Sequence, residues 1–263
     1  MKNSTAKILS LDIETAPALA WTWGLHDVNI GVNQIQKDGY ILMWSAKWYG
    51  EKKIMWDAVC NHAYPGDYST VGEREITKAI WKLVDEADFV VTHNGDHFDL
   101  KHLNEAFLIH HLPPVSTFKS IDTLREARSI GSFISKKLEY LVSKFKLGKK
   151  IDTGGFELWK EVMNGKRSSW KKMIKYCCHD TRLEERIYKV LRPFMKTHPN
   201  LNVYRTGKRT GCSVCPSTKV VRKGFWISSS GLKYQRFICT SCGHNMRDKI
   251  SDKPRYKGRV NAI

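Results

Sequence analysis

Asp12 and Glu14 stand two residues apart in "ILSLDIETAP" (Ile8–Pro17), a run otherwise apolar enough for a buried strand. Alternation along a strand puts Ile8, Ser10, Asp12 and Glu14 on one face and Leu9, Leu11 and Ile13 on the other. Two carboxylates side by side on a core strand repel each other and resist leaving water, so the pattern calls for a compensating positive charge. Asp99, in "HNGDHFD", lies just past the fourth predicted strand, where α/β sheets carry site-forming loops. Asp180, in "YCCHD", lies on the last long helix, one turn after Tyr176 and on the same helical face. Four such acids suit the hard cations Mg²⁺ or Mn²⁺. Two of these ions, about 3.5–4 Å apart, stabilise both the attacking and the leaving oxygen in phosphodiester cleavage.

A second chemistry is written in cysteine. Of seven cysteines, Cys212/Cys215 and Cys239/Cys242 form two C-x-x-C pairs separated by 23 residues. Each pair supplies two thiolates from a tight turn, and four complete a closed tetrahedral Zn²⁺ site, which is structural because it leaves no open position. "GFWISS" and "KYQRFI" read as strands about an "SSG" turn, so the segment is expected to be a zinc ribbon whose folding is driven by the metal. His244 is a weaker rival ligand, and Cys60, Cys177 and Cys178 are expected to be buried thiols.

The elements that must position these residues follow from periodicity. A strand over Ile8–Glu14 precedes a long segment without clear pattern, then "YILMWSAKWYG" and "KKIMWDAV" read as two strands about Gly50. "EREITKAIWKLVDEAD" is helical through Ile76, Ile80 and Leu83/Val84; "FVVTHNG" is a strand, "FDLKHLNEAFLIHHL" a helix, "FKSIDTL" a strand. The remainder to Met195 is helical, broken near "KLGKKIDTGG" and "NGKRSS". This order describes an α/β domain with a mixed central sheet. The expected organisation is residues 1–196 as that domain, 197–210 as linker, 211–247 as ribbon and 248–263 as a basic, flexible tail.

The formal charge is +18, and it is uneven. From Lys196 onward 15 Lys and Arg face only Asp248 and Asp252, against 29 basic and 24 acidic residues before. Such an excess favours a polyanionic partner, above all nucleic acid. In the ribbon, Lys219, Arg222, Lys223, Lys233 and Arg236 interleave with Phe225, Trp226, Tyr234 and Phe237. Cations among rings suit phosphate contacts and base stacking, although rings also serve a small core. Trp21 and Trp23 could stack on bases of a single strand, with core or loop packing at least as favoured. No apolar run reaches the length of a membrane span, and the N-terminus lacks an export signal, so a soluble intracellular protein is expected.

The three acidic motifs together resemble the DEDD family of 3′–5′ exonucleases: "DIET" matches the first motif, "HNGDHFD" the second as N-G-x-x-F-D, and "YCCHD" the third in its tyrosine form, Y-x-x-x-D. Lys175 stands where the histidine form carries its His, and His179 is read as a surface or supporting residue. The resemblance is strongest to the proofreading domain of family B DNA polymerases, over roughly residues 5–195, with "SIDTL" and the "KKLEYLVSKFKL" helix as minor agreements. It implies a ribonuclease H-like fold. It also implies that Asp12 bridges two Mg²⁺ or Mn²⁺ ions, that Glu14 and Asp180 complete one and Asp99 the other, and that Tyr176 orients the attacking water. Asn94 and the backbone near Thr15 would lie beside the terminal nucleotide. The implied substrate is a single-stranded 3′ end, DNA before RNA. No polymerase-like segment follows, so proofreading would need a separate polymerase, whereas repair or recombination trimming would not; a polymerase or a replication or repair protein is the expected protein partner. The ribbon, over about 35 residues, resembles zinc-ribbon modules at the start of some transposase-associated proteins.

Overall fold

The apolar run around Asp12 forms the centre of a mixed sheet. The computed structural model describes residues 6–26, 28–63, 71–204 and 211–251. Strand β1 (Ile8–Ala16) lies between β4 (Tyr40–Trp48), antiparallel, and β6 (Phe89–Thr92), parallel. The sheet is completed by β5 (Met55–Ala58) beyond β4 and β7 (Lys119–Asp122) beyond β6, giving the order β5-β4-β1-β6-β7. These are the five strands expected from the sequence. The near-continuous burial of β4 and β6 is that of strands covered on both faces.

Among the described residues six α-helices accompany the sheet: α1 (Glu73–Glu86), α2 (Asp99–Ile109), α3 (Thr123–Ile130), α4 (Leu138–Lys144), α5 (Glu157–Met163) and α6 (Arg167–Leu191). Leu9, Leu11 and Ile13 enter a core with Ile76 and Ile80 of α1 and Leu103 of α2. The opposite face, carrying Ser10, Asp12 and Glu14, meets α6. Asp12 pairs in register with Ser45 of β4, whose Oγ donates to the Cys177 carbonyl at 3.0 Å and also meets the Thr181 hydroxyl. The segment without clear periodicity contains a short hairpin of β2 (Leu19–Ala20) and β3 (Ile35–Lys37), too brief for a pattern to show. Trp21 and Trp23 are exposed there, so neither packs a core.

The chain divides into two compact units, one spanning Lys7–Leu191 and the other taking in the chain from Arg192. In the second, β8 (Val220–Ile227), β9 (Lys233–Cys239) and β10 (Asn245–Arg247) form an antiparallel sheet in the order β10-β9-β8. Its core is small: Cys212, Val214, Cys215 and Cys239, with Val220, Cys242 and Met246 against them. Residues 205–210 of the expected linker and 252–263 of the expected tail lie outside the described residues. No helix among the described residues is long and apolar enough to cross a membrane.

Candidate active site and cysteine centre

Three elements deliver the acids. Asp12 and Glu14 point from the centre of β1 toward α6, and their carboxylates, with the Cys177 thiol, lie mutually within 4.8 Å. Asp99 stands outside that trio at the first residue of α2, where the helix dipole favours an anion. Its Oδ1 accepts from the Ile13 backbone N–H at 3.1 Å, tying α2 to β1. Asp180 is buried on α6, and the Cys177 thiol reaches the Asp12 carbonyl at 3.6 Å, tying α6 to the same strand.

The turn before α2 explains its motif. Asn94 adopts φ 75°, a left-handed conformation that Asn tolerates better than most residues. A Cβ at Gly95 would fall 2.3 Å from Thr92 Oγ1, so glycine is required by close approach. Asp122, at the end of β7, then gathers the loop: its carboxylate accepts from the backbone N–H groups of Asn94, Asp96, Leu124 and Arg125. Asp122→Ala leaves four partly buried donors without that acceptor. It is expected to lower stability by about 3 kcal/mol, read as a lower urea midpoint with an unchanged slope.

The electrostatics follow from burial first, with crowding added at Asp12 and Glu14. Burial first, then Glu14, Asp99 and Asp180, holds the Asp12 carboxyl well above the usual carboxylate range. Burial and Asp180 push Glu14 to about 8, and burial raises Asp99 to about 7 against the Ile13 N–H that lowers it. Burial also raises Asp180, while Lys150 opposes it. Lys150 Nζ is 2.6 Å from Asp180 Oδ2 and donates to the Tyr176 hydroxyl at 3.1 Å. Burial, Asp180 and Glu14 push the Tyr176 hydroxyl further above its ordinary value, so it remains a neutral donor and acceptor. Even with Lys150 present, Asp12 Oδ2 and Asp180 Oδ1 are buried without a hydrogen-bond partner. Excess carboxylates with orphaned oxygens are a donor set that fits hard divalent cations.

The four paired cysteines fit Zn²⁺ equally well. The four thiols cluster, with Cys212 and Cys242 sulfurs 3.6 Å apart and Cys215 and Cys239 sulfurs 3.7 Å apart. Zinc–sulfur bonds of about 2.3 Å in a tetrahedron separate sulfurs by about 3.8 Å. Burial opposes ionisation of Cys239, yet the Cys242 and Ser241 N–H groups win and bring it down to about 6. His244 is not in this cluster; its Nδ1 faces the Pro193 carbonyl at 2.8 Å.

Asn94 and Thr15, expected beside the terminal nucleotide, are half-buried, Thr15 next to a register shift opposite β4. His179 Nε2 sits 2.8 Å from the Lys149 carbonyl, a supporting contact. Cys177 and Cys178 are buried, but Cys60 is partly exposed, a correction caused by its place in a short surface turn after β5. In the ribbon, Lys219, Arg222, Lys223, Trp226, Lys233 and Arg236 are all exposed. Strand pairing divides them: Trp226, Tyr234 and Arg236 share one face, while Arg222, Phe225 and Lys233 share the other. Arg247, not singled out from the sequence, lies 4.0 Å above the Trp226 ring and 4.9 Å from that of Tyr234. Lys233 lies 3.7 Å above Phe225.

Sequence reasoning also missed Lys150, Glu184 and the anchoring role of Asp122. Lys150 sits in a Gly-flanked break whose path only the fold reveals. Glu184 was legible in principle, because Tyr176, Asp180 and Glu184 repeat at four-residue spacing on α6.

A family model described as RNase_H superfamily matches residues 9–192. No curated protein matches the chain. Among solved structures, one of the family B DNA polymerase from the hyperthermophilic archaeon Pyrobaculum calidifontis aligns with a TM-score of 0.49 and 14% identity, covering 72% of this chain and 25% of that one. The chain thus spans about a quarter of that polymerase's length.

Proposed function

Since the chain belongs to the RNase H superfamily, we propose that it is a metal-dependent 3′–5′ exonuclease acting on single-stranded DNA, with its ribbon holding the substrate. One observation carries the reading: three separate elements bury Asp12, Glu14, Asp99 and Asp180 in one region, where burial first holds each of the four carboxyls above its ordinary pKa and Glu14, Asp99 and Asp180 add their charge at Asp12.

Asp12, Glu14, Asp99 and Asp180 would hold two Mg²⁺ or Mn²⁺ ions. Those ions, when bound, supply Lewis acidity that brings a water toward ionisation and charge that offsets the leaving oxygen. Tyr176 stays protonated, so its hydroxyl positions a water and does not remove its proton. Lys150 holds that hydroxyl and Asp180 in place. In the ribbon, Cys212, Cys215, Cys239 and Cys242 would hold one Zn²⁺. The Trp226, Tyr234, Arg236 and Arg247 face offers rings for bases and guanidinium groups for phosphates. A replication or repair protein, including a separate polymerase, is the expected working partner.

The deciding experiment digests a 5′-labelled single strand, as DNA and as RNA at equal salt, with Mn²⁺ or Mg²⁺ and with EDTA. Products that shorten one nucleotide at a time on DNA, and vanish with EDTA, support the reading. Faster digestion of RNA would make it an RNA-processing exonuclease, isolated internal cuts an endonuclease, and binding without cleavage an adaptor.

Removing residues 197–263 is expected to weaken DNA binding and flatten its dependence on salt, because each lost phosphate contact removes about one released counterion. Titration of a fluorescent oligonucleotide between about 50 mM and 200 mM salt measures the slope. An unchanged slope would assign the basic quarter to some other task.

A further inference from the structure

Glu184 belongs to neither the motifs nor the salt bridges that surround them. It lies one turn beyond Asp180 on α6 and is 1% exposed, and its Oε2 has no hydrogen-bond partner. Its neighbour Glu185 shows how this helix treats an acid used only for structure. Glu185 is buried too, but it is bonded to Lys47 of β4 and to Lys189 one turn on. Among the described residues Glu184 has no such cation; Lys150, the base whose charge reaches it, is already engaged by Asp180 and Tyr176.

The fold fixes where Glu184 looks. Lys47 stands opposite Ser10 in the β1–β4 register and bonds Glu185, so α6 passes Ser10 at the turn that carries Glu184. Ser10 shares the α6-facing side of β1 with Asp12, and its Oγ is also fully buried without a partner. Asp12, Asp99 and Asp180 are the acids whose charge acts on Glu184. Orphaned oxygens of Ser10, Asp12, Asp180 and Glu184 therefore line one interior region on the sheet side of α6. A buried, unpartnered carboxylate is costly to a fold. A cation held by Asp12 and Asp180 would offset that cost through its charge, without Glu184 ligating it.

We infer that Glu184 is a fifth acid of the cation site, a positioning residue that backs Asp12 and Asp180 from inside the protein and raises their affinity for divalent ions. This rests on the cation site of the proposed nuclease and adds a residue to it. Glu184→Gln keeps the shape and removes the charge, so the site should bind Mn²⁺ about tenfold to a hundredfold more weakly.

The test titrates Mn²⁺ into the full-length chain, reading free Mn²⁺ by paramagnetic resonance and thermal unfolding in parallel. Glu184→Gln is expected to weaken binding while its midpoint without Mn²⁺ stays equal or rises, since a buried repulsion has gone. Glu184→Asp, which keeps the charge, should retain most of the affinity, and it serves if the first variant does not fold. Glu185→Gln should do the reverse, lowering the midpoint by stranding Lys47 while leaving Mn²⁺ affinity intact. Mn²⁺ affinity in Glu184→Gln equal to that of the intact chain, with a lowered midpoint, would make Glu184 structural and overturn this inference alone. No Mn²⁺ binding by the intact chain would overturn the four-acid cation site and this inference together.

Discussion

Asp12→Ala is expected to slow single-strand digestion by about 10³-fold or more, the scale on which preorganised charge at a reacting phosphate acts. Asp12 is the acid nearest the middle of the cluster: Glu14, Asp99 and Asp180 all bear on it, and its Oδ2 has no protein partner. Removing it would take away the carboxylate on which the charges of the other three acids converge. The same substitution should leave most DNA binding in place, because most of the candidate binding residues lie in the ribbon. It should also raise the thermal midpoint in buffer without divalent ions, since it relieves like-charge crowding on a core strand. That combination separates lost chemistry from lost fold. Activity near the intact level would remove Asp12 from the site. A fall in activity together with a lower midpoint would mark it as a structural residue.

The second large effect is on stability. Dialysed free of Mg²⁺ and Mn²⁺, the protein is expected to become less stable as pH rises from about 4 to about 8, opposite to the usual behaviour of carboxylates in salt bridges. The sign follows from proton binding. Glu14 at about 8 and Asp99 at about 7 hold protons in the folded chain that they release when it unfolds. The folded state therefore binds more protons across that window, and stability falls as pH climbs through it. Each tenfold change in proton affinity is worth about 1.4 kcal/mol, so Asp99 alone accounts for about 4 kcal/mol. Mn²⁺ should cancel most of the loss at the alkaline end of the window and change little at the acid end, where the carboxyls are protonated. Calorimetry at both ends, with and without Mn²⁺, measures this. Stability that is flat or rising over the window would show that the acids are already compensated by protein groups, and the cation site would fail.

Much of the site was legible because its signals are local. Asp12 and Glu14 sit against the pattern of an apolar strand, and only a few kinds of chemistry justify that conflict. The Tyr176–Asp180 spacing needs nothing but helical geometry, and the two C-x-x-C pairs with a turn between them need only a hairpin. The same locality explains the five strands. Where the signal was weaker, so was the reading. Two- and three-residue strands after Pro17 leave no periodicity, and the face on which each ribbon cation falls depends on a bulge between Arg222 and Phe225.

What the sequence by itself determined is the inventory: which acids, which thiols, on which elements, and in a chain whose last quarter is strongly basic. Only the tertiary structure decided the company they keep. Lys150 reaches Asp180 across 30 residues of chain, Asp122 gathers a loop from the neighbouring strand, and Glu184 turns inward unpartnered while Glu185 finds two lysines. Spacing along a helix or strand is set by the backbone's own period, so it can be read from residue order. Proximity between elements is set by how sheet and helix pack, which no single segment encodes.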